Sequence, residues 1–366
     1  MPVSRKWAYF DHAAVAPLSA PAGQVLREWA DDLTANGAVD WSRWRRGLED
    51  VRRSAATLIG AETEEIGLIR NTTEGINLVA EGFPWKPGES IVTPRGEFPS
   101  NYYPWAALES RGVEVRRVET KTGRFDPADI AAACDEKTRL VSVSWVDYLA
   151  GWRNDLDALA DVAHRRGALL FVDAIQALGV FPLDVRSTPI DFLAADGHKW
   201  MLGPEGAGLF YVRGEHLDLL EPRGLGWNSV RHAGDFSNDA LDLKSSASRY
   251  EGGSYNMAGL HALGASLNLL LGIGIESISE RLLDVVDELA VKLTEMGANV
   301  VGASERNRRS GILSFELPGR ELSSVRKRCL DARVVVNLRG GRLRISPHAY
   351  TDRGDIDCLL AALADP

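Results

Sequence analysis

Leu169-Leu-Phe-Val-Asp173-Ala-Ile-Gln176 is an apolar run that ends on a carboxylate. Four apolar residues without polar alternation fit a strand covered on both faces, the habit of a parallel sheet. The flanks repeat the theme. Upstream, residues 156–166 have helical periodicity and 140–145 are strand-like. Before them 127–134 reads as helix, 113–118 as strand, 101–110 as helix, 90–93 as strand, 73–80 as a helix start and 65–70 as strand. Such alternation predicts an α/β fold with a mostly parallel central sheet flanked by helices. Two helical stretches precede it, 21–35 and 41–58, each followed by a glycine (Gly37, Gly60) where a helix would stop.

Beyond Asn256 the character changes. Long helical patterns at 257–271 and 276–296 lead to short strands at 311–317, 334–336 and 342–346, with helices at 322–332 and 355–364. The expectation is a large domain over 15–256 and a smaller α+β domain over 1–14 and 257–366.

Composition excludes several function classes. The 366 residues are 45% hydrophobic and 25% charged, a globular balance. Forty-two basic against 51 acidic residues give a net charge of −9, which opposes nucleic-acid binding. No apolar run approaches a membrane span, and the N-terminus lacks a signal-peptide core. Three scattered cysteines (Cys134, Cys329, Cys358) form no CxxC pair, which argues against a disulfide framework or cysteine metal site and points to the cytoplasm. The seven histidines show no HExxH spacing, so no metal is expected. Trp41-Ser-Arg-Trp-Arg-Arg46, the one basic aromatic stretch, reads as an amphipathic helix packing its tryptophans ahead of a site for an anionic partner.

Four features carry chemistry. Arg70-Asn-Thr-Thr-Glu-Gly-Ile-Asn77 lies between strand and helix, where hydroxyls and free N–H groups suit a phosphate and equally suit a plain N-cap. Asp173, at the carboxyl end of its strand, can hold a pyridine nitrogen protonated or cap a helix. Lys199 follows a strand in Ala194-Ala-Asp-Gly-His198-Lys199-Trp-Met-Leu-Gly-Pro-Glu-Gly-Ala-Gly-Leu-Phe-Tyr-Val212. There it points inward as a desolvated nucleophile or outward as a surface lysine. The Gly203, Gly206, Gly208 run is not a dinucleotide fingerprint, since no helix follows. In Gly340-Gly-Arg342-Leu-Arg344-Ile-Ser346, strand alternation puts both arginines on one face, as a carboxylate clamp or as an exposed ladder on an edge strand.

Taken in order, these motifs resemble the class V aminotransferase family of fold-type I pyridoxal-phosphate enzymes, a group that includes cysteine desulfurases, kynureninases and isopenicillin N epimerase-like proteins. The resemblance spans Tyr9-Phe-Asp-His-Ala-Ala14 to Leu343-Arg-Ile-Ser-Pro-His348. It implies a seven-stranded central sheet and pyridoxal 5'-phosphate held as a Schiff base on Lys199, which also shuttles protons. It further implies Asp173 on the pyridinium nitrogen, Gln176 on the ring's phenolic oxygen, and Thr72 and Thr73 on the phosphate with His198 beside it. By the same likeness, Gly253 and Ser254 in Tyr250-Glu-Gly-Gly-Ser254-Tyr-Asn256 reach the phosphate of a neighbouring subunit, so a homodimer with shared sites is implied. Arg344 matches the arginine that takes the substrate carboxylate.

Three departures bear on activity. Where desulfurases carry Glu-His-His-Ala-Asn, this chain has Glu97-Phe-Pro-Ser-Asn101, so the ring-stacking group is Phe98, which cannot relay a proton. The segment Val336-Asn-Leu-Arg-Gly-Gly341 runs into the arginine strand without the desulfurase cysteine, and Cys329 on the preceding helix reads as structural. Asp196 stands where the family often has a phosphate-binding serine and keeps no assigned role. An aminotransferase acting on a small amino-acid-like substrate is the leading expectation, because that chemistry needs nothing beyond Lys199. Epimerisation or β-elimination, including C–S lysis, is the alternative, and a persulfide-forming desulfurase is disfavoured. A non-catalytic binding relative would not need Lys199, Asp173 and Arg344 together. Residues 29–46 and 227–244 are candidates for side-chain recognition, with Trp227 either lining the pocket or sitting in the core.

Overall fold

The alternation of apolar strands and amphipathic helices closes into layers around one large sheet. The computed structural model describes residues 1–364. Strand β1 (Ala8–Tyr9) leads to helices α1 (Ala20–Asn36) and α2 (Trp41–Ile59). Ser19 caps α1 by accepting from Ala22 N–H, and Gly60 ends α2 in the left-handed region. The alternating part comes next: β2 (Ile66–Ile69), α3 (Thr72–Gly82), β3 (Ser90–Pro94), α4 (Tyr103–Ala107), β4 (Glu114–Val118), α5 (Pro127–Ala133), β5 (Thr138–Ser144), α6 (Leu156–Arg165), β6 (Leu169–Asp173), β7 (Phe192–Asp196) and β8 (Gly208–Val212). Then come α7 (Met257–Ile273), α8 (Ile275–Glu295), β9 (Asn299–Val301), β10 (Leu313–Glu316), α9 (Leu322–Asp331), β11 (Val334–Val335), β12 (Asn337–Arg339), β13 (Arg342–Ile345) and α10 (Arg353–Ala364).

The seven-stranded sheet has the order β2-β8-β7-β6-β5-β3-β4. From β4 through β7 neighbours run parallel, and β8 and β2 close one side antiparallel. The expected mostly parallel sheet is thus present, and β3, β7 and β8 are buried along their whole length. Because β5, β6 and β7 run the same way, their last residues, Ser144, Asp173 and Asp196, meet at one carboxyl edge.

Some expectations are corrected. The helix read over 101–110 breaks into the short α4 between 3₁₀ turns at Pro99–Asn101 and Leu108–Arg111. Pro99 and Pro104 each restart a turn because they cannot donate to a preceding one. The strand expected at 334–336 is present as β11, which pairs with β1 and ties the start of the chain to its C-terminal third, while the small sheet has the order β12-β13-β10-β9. Helix α7 packs on α1 and α2 and meets α8 at an 83° bend. Of the Trp41–Arg46 tryptophans only Trp44 packs, donating to Asp32 and meeting His261 edge-on, while Trp41 stays exposed beneath the Arg45 guanidinium. No helix among the described residues is long and apolar enough to cross a membrane.

Candidate active site

At the carboxyl edge of the large sheet lies a cavity of about 300 Å³ lined by Lys199, Asp173, Gln176, Thr72, Thr73, His198, Phe98 and Arg344. It therefore gathers eight side chains singled out from the sequence. Its floor is set by strand ends. Asp173 closes β6, buried, with its Oδ1 accepting from Ile175 N–H at 3.1 Å. Burial pushes its carboxyl up to about 6, against the pull of that N–H and of Lys199. Lys199 follows β7 in a turn that leans on Gly179: a side chain there would come within 2.6 Å of the Trp200 carbonyl. Burial brings the Lys199 amine down to about 8; Asp173 pulls the other way, and Arg344 adds to the fall. The two groups thus share a compartment in which burial disfavours the charge of each.

Gln176 is pinned from both ends, its Nε2 donating to the Ala13 carbonyl and its Oε1 accepting from Trp200 Nε1, each at 3.0 Å. Thr72 and Thr73 open α3, where the first N–H groups have no intrahelical acceptor by position. The Thr72 hydroxyl accepts from Asp196 N–H at 2.9 Å, and the Thr73 hydroxyl donates to Ser100 Oγ at 2.9 Å. The Asp196 carboxylate turns toward the histidine two residues on, its Oδ2 lying 2.9 Å from His198 Nδ1. Phe98 lines the wall edge-on to Tyr148 at 5.3 Å, with Lys199 Nζ 5.9 Å from its ring centre.

Arg344 is buried, and β13 is an inner strand, which removes the exposed-ladder reading. One guanidinium nitrogen donates to the Tyr148 carbonyl at 2.8 Å and another lies 3.5 Å from Asp11 Oδ1, while Nε has no protein partner. Arg342 instead pairs with Glu316 at 2.9 Å.

Other sequence candidates lie elsewhere. Gly253 and Ser254 are exposed and outside this cavity. Trp227 neither lines it nor sits in the core; it is half-exposed against Phe236. Of the cysteines, Cys134 and Cys329 are buried and Cys358 is exposed, and none lines the cavity. No cluster of histidine, cysteine and carboxylate groups suited to a metal occurs among the described residues.

Sequence reasoning misses Ser144, Ser100, Tyr148 and Arg339, all on the cavity wall, and Glu97 behind it. Glu97 accepts from both the N–H and the hydroxyl of Ser144, and burial pushes its carboxyl up to about 7. Ser144 is the findable one, because a strand parallel to β6 must end beside Asp173.

The aminotransferase class-V family model matches residues 8–356. A probable cysteine desulfurase of Methanothermobacter thermautotrophicus is 35% identical over 98% of this chain and 94% of its own length. The apo structure of a cysteine desulfurase from Thermococcus onnurineus has a TM-score of 0.91 at 27% identity, covering 100% of this chain and 95% of that one. A cystine C–S lyase, in complex with its reaction product cysteine persulfide, has a TM-score of 0.93 over 100% of this chain and 99% of that one. Its identity is 23%, a likeness of fold.

Proposed function

This chain belongs to the aminotransferase class-V family, and from that premise we propose that it cleaves the β-carbon–sulfur bond of an amino acid and releases the sulfur on a small molecule. Pyridoxal 5'-phosphate is the cofactor. The residues fit it: a phosphate suits the free N–H groups and hydroxyls at the start of α3, and Asp173 is a buried carboxylate that needs a cationic partner. The orphaned Nε of Arg344 suits a carboxylate of the substrate.

When bound, the cofactor supplies an aldehyde that takes up amines and a ring that draws electron density from the substrate α-carbon. The protein does the rest. Asp173 would hold a proton at the pyridine nitrogen, Thr72 and Thr73 would hold the phosphate with His198 alongside, Gln176 would serve the phenolic oxygen, and Phe98 would cover the ring. Arg344 orients the substrate by its α-carboxylate. Lys199, with its amine brought down to about 8, removes the α-proton at near-neutral pH. The carbon–sulfur electron pair leaves on sulfur, and water hydrolyses the released enamine to a keto acid and ammonia.

The observation that carries this reading is a cavity with Lys199, Asp173 and Arg344 but no cysteine on its wall. The names of the relatives favour carbon–sulfur chemistry over the transamination that leads on sequence alone, and the missing thiol leaves no protein atom in the cavity to receive sulfur. Gly253 and Ser254, exposed on this chain, fit a homodimer in which each copy completes the other's phosphate site. The free thiols fit a reducing, cytoplasmic setting.

The test is turnover of L-cysteine and L-cystine by holoenzyme without a keto-acid acceptor. Pyruvate and ammonia accumulating past one equivalent, with sulfide or a small persulfide, are expected. Keto acid that stops at one equivalent would make it an aminotransferase, an inverted amino acid an epimerase, and alanine with protein-bound sulfur a desulfurase.

A further inference from the structure

Three arginines share one face of the small sheet. Antiparallel register sets Arg339 opposite Arg342 and Asn337 opposite Arg344, so residues 337, 339, 342 and 344 point to the same side. Like charges directly opposite one another on a sheet are destabilising, and the protein answers only two of the three. Arg342 has Glu316 at 2.9 Å, and Arg344 has Asp11 at 3.5 Å. For Arg339 no carboxylate lies within ion-pair distance among the described residues.

The backbone that carries Arg339 is fixed by the turn that follows it. Gly340 and Gly341, with φ of 54° and 74°, make the tight two-residue turn between β12 and β13 and anchor the strand end beside the cavity. Arg339 lines the same cavity as Arg344 and is exposed at its mouth. A two-residue offset across paired strands separates the two Cα atoms by roughly 8 Å. An unpaired cation opposite another cation, at the rim of a ligand cavity, is best stabilised by an anion that arrives with the ligand.

The geometry points to Arg339 as the subsite for a second negative group, and so to a substrate that is an α-amino acid with a side chain ending in a carboxylate. The α-carboxylate takes Arg344, the distal one takes Arg339, and an uncharged linking chain passes the rings of Phe98 and Tyr148 on the same wall. This rests on the proposed function, because it takes Arg344 as the α-carboxylate clamp.

The test compares adipate with hexanoate on holoenzyme by calorimetry, in the native protein and in Arg339→Gln and Arg339→Lys. Adipate should bind roughly fivefold more tightly than hexanoate, the size expected of an exposed ion pair. In Arg339→Gln the ratio should fall to about one, and Arg339→Lys should keep part of the preference by charge alone. Equal binding of the two acids in the native protein, a preference that survives Arg339→Gln, or loss of cofactor on that substitution would overturn the inference. Amino acids with anionic and neutral side chains are then compared as substrates. If none is turned over, the proposed function fails while the adipate ratio still reads the subsite.

Discussion

The floor of the cavity and its rim are built on different principles. The floor groups, Asp173, Thr72 and Gln176, are almost wholly buried on strand ends or the turns just after them, and each hydrogen-bonds to backbone or to another side chain. The rim groups are looser: Phe98 is 43% exposed in a loop, and Arg339 stands exposed at the end of a short strand of the other sheet. A rigid floor suits chemistry common to a whole family, because acid, base and ring must meet within tenths of an ångström. An exposed rim can change without disturbing the sheet, which suits it to telling one substrate from another on the proposed reading.

The sharpest break of that comparison is Lys199→Ala. On the proposed reading, turnover should fall by about a thousandfold or more while near-ultraviolet circular dichroism stays native, because only the proton carrier is removed. Turnover that survives would sink the assignment of the floor.

Asp173→Asn should cost about a hundredfold in turnover and carry two further signatures. Asp173 holds the Lys199 amine up, so the pH midpoint for loading apoenzyme with cofactor should lie lower in the variant than in the native protein. The folded pKa of Asp173 is raised to about 6 from an ordinary 3.8. Its contribution to stability is therefore present below pH 3.8 and lost as pH rises through 6. The Asn variant escapes that loss, so its apoenzyme should be more stable at pH 7 by on the order of 2 kcal/mol in urea unfolding. A variant that is less active and also less stable would mean that Asp173 is a structural cap.

Arg344→Lys sits between floor and rim. The buried fork is replaced by a point charge, so KM should rise about tenfold with kcat little changed. A fall in kcat alone would place the arginine outside substrate binding. The smallest effect belongs to Phe98→Ala, which removes one face of ring stacking at a half-exposed position. Cofactor dissociation, followed by absorbance, should speed up only about three- to tenfold. A hundredfold loss would show that the rim is as essential as the floor.

The legibility of each part tracks the range of its interactions. Asp173 stands out because an acidic residue at the end of an apolar run is a local pattern, and Arg342 and Arg344 stand out together because alternation along one strand is local too. Glu97 has no role that its own motif reveals. Its partner Ser144 lies 47 residues on, and only the packing of a loop against the end of β5 joins them. Asp196 is unreadable in sequence because a carboxylate's direction depends on the side chain beside it, here His198. By periodicity helix α7 groups with α8 and the small domain, whereas it packs on α1 and α2, more than two hundred residues earlier.

By itself the sequence determined the α/β architecture, since periodicity and strand ends are set by neighbours a few residues apart, and it marked Lys199, Asp173 and Arg344 as candidates through the family resemblance. Only the tertiary structure decided that Gln176 is locked between Ala13 and Trp200, that Glu97 backs Ser144, that no cysteine reaches the cavity and that Arg339 does. Those facts depend on register between strands and on contacts across hundreds of residues, where desolvation and packing choose among arrangements that local patterns leave equal.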